Sequence, residues 1–179
     1  MKRKYRNSVL IGERNERKIE GFDFGNSPTE ILKNDFTGVT VIHTTTAGTM
    51  GLVNATGADV VLAASLVNAS ATASYILAKQ PETVSLVAMG YRALSRADED
   101  ILCAGIIEAR ILGRKTNWDK EVAELKNGAG KRFFDPNTID FAPPTDFFLC
   151  TMTDRFDFVL KAERRFDGNI DLGRVDIKG

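Results

Sequence analysis

The sequence predicts an α/β protein built on a largely parallel mixed sheet, closed near its C-terminus by an antiparallel hairpin. Three observations predict it. Short β-branched apolar runs alternate with helical patterns over the first two thirds of the chain, as in parallel sheets covered on both faces. Two strand-like segments near the end flank an Asp167-Gly168 turn dipeptide. No linker, repeat or change of composition divides the 179 residues, so residues 1–179 read as one domain.

In chain order, "SVLIG" (8–12), "GVTVIHT" (38–44), "ADVVLAAS" (58–65) and "TVSLVAMG" (83–90) read as four buried strands. Helices are expected over "AGTMGLVNA", over "NASATASYILAKQ" and from about Ala97 to Leu112. The last third changes character. "NWDKEVAELKNG" reads as an exposed helix stopped at Gly128, and "PPTDFFLCTMTDRFD" as a short helix launched by prolines. "FDFVLKAERR" and "NIDLGRVDI" supply the closing hairpin.

Composition narrows the function classes. Hydrophobic residues make up 43% and charged residues 27%, and 24 basic residues balance 24 acidic ones. A nucleic-acid binder usually carries a basic surplus to neutralise phosphates, and none exists here. Apolar runs are broken long before membrane-spanning length, and the basic start has no long apolar core of a signal peptide. Cys103 and Cys150 lie far apart and outside any C-x-x-C pattern. These features predict a soluble protein of a reducing compartment, the cytoplasm.

Ligands of open α/β sheets collect beyond the carboxyl ends of the strands, and four such exits are polar. In "GNSPTE", Ser27, Pro28 and Glu30 form a capping box with proline at its preferred place. Asp23 and Asn26, just ahead on a glycine-bracketed turn, fall outside that explanation. In "TTTAGT", Thr46 is a candidate N-cap and Gly48 allows an anion to approach backbone N–H groups, so capping and an anion cradle both fit. No lysine follows to make a phosphate-binding P-loop. "SLVNASAT" repeats the pattern with Asn68 or Ser70 as cap, which would aim a second helix N-terminus at the same crevice.

"YRALSRADED" adds Arg92 and Arg96, whose guanidinium groups match phosphate or sulfonate oxygens. Asp98, Glu99 and Asp100 open the next helix; they complement its dipole or hold a magnesium ion bridged to a substrate phosphate. Cys103 shares their helix face and reads as a buried, inert thiol. A cysteine-phosphatase loop needs arginine six residues after its cysteine, and positions 109 and 156 are Ala and Phe. The "DED" triplet opens a helix after a long loop, unlike an aspartyl-phosphate motif that follows a strand directly. Metal-assisted attack by water is the phosphatase chemistry that remains. His43, the sole histidine, reads as structural or peripheral.

Taken in order, "GER" (12–14), "GFDFGNSPTE" (21–30), "TTTAGT" (44–49), "SLVNAS" (65–70) and "DEDILCAG" (98–105) resemble the 2-phosphosulfolactate phosphatase family. The C-terminal "DRFDFVLKA" with its glycine turn is similar too. The resemblance implies a magnesium-dependent phosphatase of three-layer α/β/α architecture that converts 2-phospho-3-sulfolactate to sulfolactate and phosphate, a step of coenzyme M biosynthesis. It places Asp100 and Glu99 in the chemistry and Asp23, Glu13 and Glu30 at the metal. Around the substrate it implies Arg14, Asn26, Ser27, Thr45, Thr46, Gly48, Thr49, Asn68 and Cys103, with Arg92 as a further anion ligand.

Two departures accompany the resemblance. Ala47 stands where the family usually has asparagine, and the family's preceding strand–helix–strand segment with its "DVLRATT" motif is not found. The expectation is an N-terminally shortened domain with an open sheet edge, and open edges invite pairing into a homodimer. The alternative function is a catalytically impaired relative that binds small anions or serves in assembly. A generic nucleotide binder ranks last, because no G-x-G-x-x-G fingerprint occurs.

Overall fold

The computed structural model describes residues 5–177; the basic Lys2, Arg3 and Lys4 of the opening lie outside them. Strand β1 (Ser8–Arg14) turns back through the short β2 (Arg17–Lys18), and helix α1 (Pro28–Ile31) precedes β3 (Thr40–Thr44). Helix α2 (Gly48–Asn54), β4 (Val61–Ala63) and α3 (Ala69–Lys79) follow, then α4 (Asp98–Ile111) and α5 (Asp119–Glu124). Helix α6 (Pro144–Thr151) leads into the hairpin of β5 (Phe158–Arg164) and β6 (Ile170–Asp176).

The strands form two three-stranded sheets, ordered β2-β1-β3 and β4-β5-β6. Among the described strands the parallel ladder joins β1 and β3, with Ser8 opposite Thr40 and Gly12 opposite Thr44, and a single parallel bridge links Ile11 to Phe24. Gly12 has to be glycine, because a Cβ there would collide with the Thr44 carbonyl oxygen. β4 pairs antiparallel with β5, Val61 opposite Ala162, so the hairpin completes a separate antiparallel sheet. The architecture is mixed α/β, and the expected largely parallel single sheet is corrected to one mixed and one antiparallel sheet. The reason lies in distant pairing: β4 takes its partner from the C-terminal hairpin and not from β3.

The fourth expected strand, 83–90, enters no ladder among the described residues. Its β-branched composition reports only that it suits a pleated, half-buried surface. Here Leu86 packs against the core while Val84 and Val87 face solvent. The helices fall close to their expected bounds, and α5 passes into a 3-10 turn at Leu125–Asn127 before Gly128.

The core lies among the helices. Ile106 and Ile107 of α4 meet Ala69 and Ala73 of α3, Leu66, Leu125 and Phe147 of α6. The Phe147 ring packs edge-on against Phe134 at 5.5 Å. The alanines of α3 let the α4 isoleucines approach closely, which fixes the start of α4, and with it Asp98–Asp100, against the body of the protein.

Candidate active site

The turn after β3 is built from reciprocal threonine bonds. Thr45 N–H donates to Thr49 Oγ1 at 3.1 Å, and Thr49 N–H donates to Thr45 Oγ1 at 3.1 Å. The N-cap position of α2 is Ala47, not Thr46 as the string suggests, and the side chain that holds a first-turn N–H is that of Thr45. Thr46 instead gives its N–H to Glu13 Oε1 (2.6 Å) and its hydroxyl to Glu13 Oε2 (2.9 Å). Glu13 also accepts the Glu16 N–H at 2.9 Å, so one carboxylate ties the "GER" turn to the "TTTAGT" turn. Burial pushes the Glu13 carboxyl up, but the Thr46 and Glu16 N–H groups, the Thr46 hydroxyl and the Arg14 charge together outweigh it. Its net pKa is lowered.

Braced in this way, the turn leaves two donors open: the Ala47 and Gly48 amides have no acceptor among the described residues. The Arg14 guanidinium reaches the same turn, donating to Thr44 Oγ1 at 3.3 Å. Arg92 closes on the first turn from the other side through Asn15 Oδ1. Arg92 belongs to a tight loop in which Arg92 and Ala93 both have φ of 56°. Gly90, beside it at φ 70°, has no room for a Cβ against the Ser95 carbonyl. Its N–H donates to Asp100 Oδ2 at 2.7 Å, which fixes that carboxylate at the head of α4. Met89 meanwhile lies over Gly51 of α2. Glu13, Arg14, Thr45, Thr46, Gly48, Thr49, Arg92 and Asp100 are thus linked through one set of loops, and Glu99 is exposed beside Asp100.

A second group sits behind β1. Asp23 accepts the Leu10 N–H at 2.8 Å, and Glu30 accepts the Gly25 N–H at 2.9 Å. Ser27 caps α1 as expected, its Oγ accepting the Glu30 N–H at 3.3 Å. The Ser27 hydroxyl then donates to Asp146 at 2.9 Å, and the Thr29 N–H donates to the same oxygen at 2.8 Å. Asp146 is 2% exposed, so this is a buried bond network between α1 and α6. Exposed Asn26 meets His43 Nε2 at 3.0 Å. Desolvation lowers the His43 pKa against the opposing Glu13 charge, although part of the ring faces solvent.

Asn68 and the second helix N-terminus have other surroundings than expected. Asn68 is buried; its side chain accepts the Ser65 N–H at 3.0 Å and donates to the Phe158 carbonyl at 3.3 Å. The second helix N-terminus is also filled from within, since Asp154 accepts the Ser70 N–H at 2.7 Å and an ion pair from Arg110 at 2.6 Å. Burial, followed by the Asp100 charge, raises the Cys103 thiol to about 11, which keeps it protonated and inert. Asp146, Asp154 and Arg110 escaped the sequence reading because their partners lie far away in the chain. No three His, Cys, Asp or Glu side chains converge to hold a metal among the described residues.

A model of the 2-phosphosulpholactate phosphatase family matches residues 1–133. The chain belongs to that family. A relative named "Probable 2-phosphosulfolactate phosphatase" from Thermosynechococcus vestitus is 38% identical over 122 residues, 68% of this chain and 47% of the relative. One of the same name from Caldanaerobacter subterraneus is 34% identical over 168 residues, 86% of this chain and 68% of the relative. A third, from Caldicellulosiruptor saccharolyticus, is 44% identical over 103 residues, 55% of this chain and 42% of the relative. The chain thus spans roughly half the length of most of these 2-phosphosulpholactate phosphatase relatives. Both bonded turns fall inside the family match, whereas Asp146 and Asp154 fall beyond it. No helix among the described residues is long and apolar enough to cross a membrane.

Proposed function

We propose that this chain hydrolyses a small anionic phosphoester, 2-phospho-3-sulfolactate, to sulfolactate and phosphate in the cytoplasm, as a homodimer and as a step towards coenzyme M. The observation that carries the reading is the braced turn at Thr45–Thr49, with the Ala47 and Gly48 amides open and Arg14 alongside. Helix α2 has seven residues, so its dipole adds little, and the two amides and the guanidinium are the donors that matter. In the proposed step, water bonds to phosphorus as the ester P–O bond breaks, and the alcohol leaves with a proton. Asp100, with only Oδ2 engaged by Gly90, is the proposed base that orients the water, and Glu99 the neighbouring acid. Arg14 and Arg92 hold the phosphate and sulfonate charges. A three-layer arrangement, in which helices cover both faces of a continuous sheet, is part of the same proposal.

The expected magnesium donors do not fit a cage made by the protein alone. Glu13, Asp23 and Glu30 each hold a backbone N–H, and no three ligands converge among the described residues. Magnesium often binds through one or two carboxylates plus substrate phosphate, so it stays in the proposal as an ion recruited with substrate, and no step is routed through it.

The engaged carboxylates also favour a second reading, an anion-binding relative without turnover. Phosphate release from 2-phospho-3-sulfolactate, with magnesium and with chelator, separates the two. The first reading expects release that falls by about 100-fold or more in Asp100→Asn. The second expects no release but calorimetric binding of inorganic phosphate, weakened in Arg14→Ala. Neither release nor binding would sink both.

A further inference from the structure

Among the described residues six that are not glycine have a positive φ, and four of them fall in two turns that meet. Asn15 (φ 52°) and Glu16 (φ 69°) form the two-residue turn between β1 and β2. Arg92 and Ala93, both at 56°, form the tip of the loop that Tyr91 and Ser95 close. Outside glycine, asparagine and aspartate, this backbone region persists only where its surroundings hold it. Here they do. Glu16 gives its N–H to Glu13 at 2.9 Å and takes an ion pair from Arg132 at 2.9 Å. Tyr91 N–H donates to the Ser95 carbonyl at 2.8 Å. One side-chain bond then joins the two turns, from Arg92 Nη2 to Asn15 Oδ1.

That bond aims a cation which nothing else neutralises. Arg110 and Arg132 are paired with Asp154 and Glu16, whereas Arg92 has no carboxylate partner among the described residues. Its guanidinium rests 5.3 Å from the centre of the Tyr91 ring. The backbone leading to it is pinned as well, with Met89 against Gly51 of α2 and the Gly90 N–H on Asp100. Asn15 directly follows Arg14, whose guanidinium reaches Thr44. The phosphate of the preceding reading already has Arg14 and the Ala47 and Gly48 amides. Arg92 is the cation left for another acid group of the same molecule, and its planar fork suits carboxylate or sulfonate. A side chain ordered before binding loses less freedom when the ligand arrives.

We infer that Asn15 is a positioning residue: its Oδ1 holds Arg92 ready for an acid group other than the phosphate, and so favours phosphoesters that carry a second acid. The inference rests on the phosphoester reading and deepens it by naming what sets the preference among such esters.

The test compares 2-phospho-3-sulfolactate, 2-phospholactate and ethyl phosphate, which carry two, one and no acid groups besides the phosphate. Asn15→Gly suits the left-handed backbone and deletes only the acceptor. It should raise KM for the acid-bearing esters about 3- to 10-fold with little change in kcat, and spare ethyl phosphate. Loss on the sulfonated ester alone assigns Arg92 to the sulfonate, and loss on both acids assigns it to the carboxylate; either supports the inference. In Arg92→Ala, Asn15→Gly should add no further loss, because Asn15 acts through Arg92. Equal loss on all three esters, additive loss in the double variant, or no loss at all would each overturn the inference. If no ester releases phosphate, the phosphatase reading fails by itself, and calorimetry with sulfolactate and inorganic phosphate decides the inference. Weakening of sulfolactate alone in Asn15→Gly upholds it; equal weakening of both ligands, or no sulfolactate binding by the wild type, overturns it.

Discussion

The helical half and the site half are held together by different forces. Between Leu66 and Val159 the chain buries a cluster of aliphatic and aromatic side chains, with Ile106 at 0% exposure. From residue 5 to 54, Ile11 is the one buried hydrophobic residue among those described. That half is organised instead by polar side chains that hold backbone N–H groups: Glu13 on Thr46, Asp23 on Leu10, Glu30 on Gly25 and Asp146 on Thr29. Apolar packing is non-directional and gives stability. Hydrogen bonds are directional and contribute only about 0.5–1.5 kcal/mol net each, so they fix geometry more than they add stability. A loop site that must present amides to an anion needs the second kind of support.

The comparison breaks first at Ile106. Ile106→Ala should cost about 2–5 kcal/mol of global stability, read as a lower urea midpoint with an unchanged slope. A loss below about 1 kcal/mol would mean that the helical half is not the stable unit. Asp146→Ala sits where the halves meet. It leaves the Ser27 hydroxyl and the Thr29 N–H without their buried acceptor, and should cost about 1–3 kcal/mol. Thr29 should lose exchange protection more than its neighbours; uniform loss would show that α1 and α6 open together.

Glu13→Gln sharpens the contrast with the smallest global effect, within about 0.5 kcal/mol, because the residue is only part-buried. Its local effect should be clear: the Thr46 amide exchanges faster while the urea midpoint hardly moves. The sign of the pH dependence follows from the lowered pKa. The folded carboxyl titrates below its ordinary value of 4.5, so its support is complete above that pH and is lost as pH falls through the folded value. Thr46 protection should therefore fall in acid in the wild type and be insensitive to acid in Glu13→Gln.

Much of this arrangement was legible locally. The Ser27-Pro28-Glu30 box, the helix starting near Asp98, the proline-launched α6 and the Asp-Gly hairpin each depend on residues a few positions apart. The polar strand exits and the family strings likewise pointed to the turn at Thr44–Thr49 and to Asp100. Most misread features share one property, that their partners are remote; the exception is 83–90, whose strand-like composition finds no ladder among the described residues. Thr46 reads as a cap until Glu13 is seen 33 residues away. Asn68 and the start of α3 read as anion donors until Phe158 and Asp154 are seen to occupy them.

The sequence by itself determined most helices, the hairpin, three of the four expected inner strands, the family and the positions of the turns that could meet an anion, because capping, periodicity and turn chemistry are short-range. Only the tertiary structure decided how the strands group into two sheets and which carboxylates are already engaged. It also decided that, among the described residues, β4 pairs with the distant hairpin and not with β3. Those choices rest on pairings between segments far apart in the chain, where propensity carries no information and steric fit and hydrogen-bond satisfaction select the outcome.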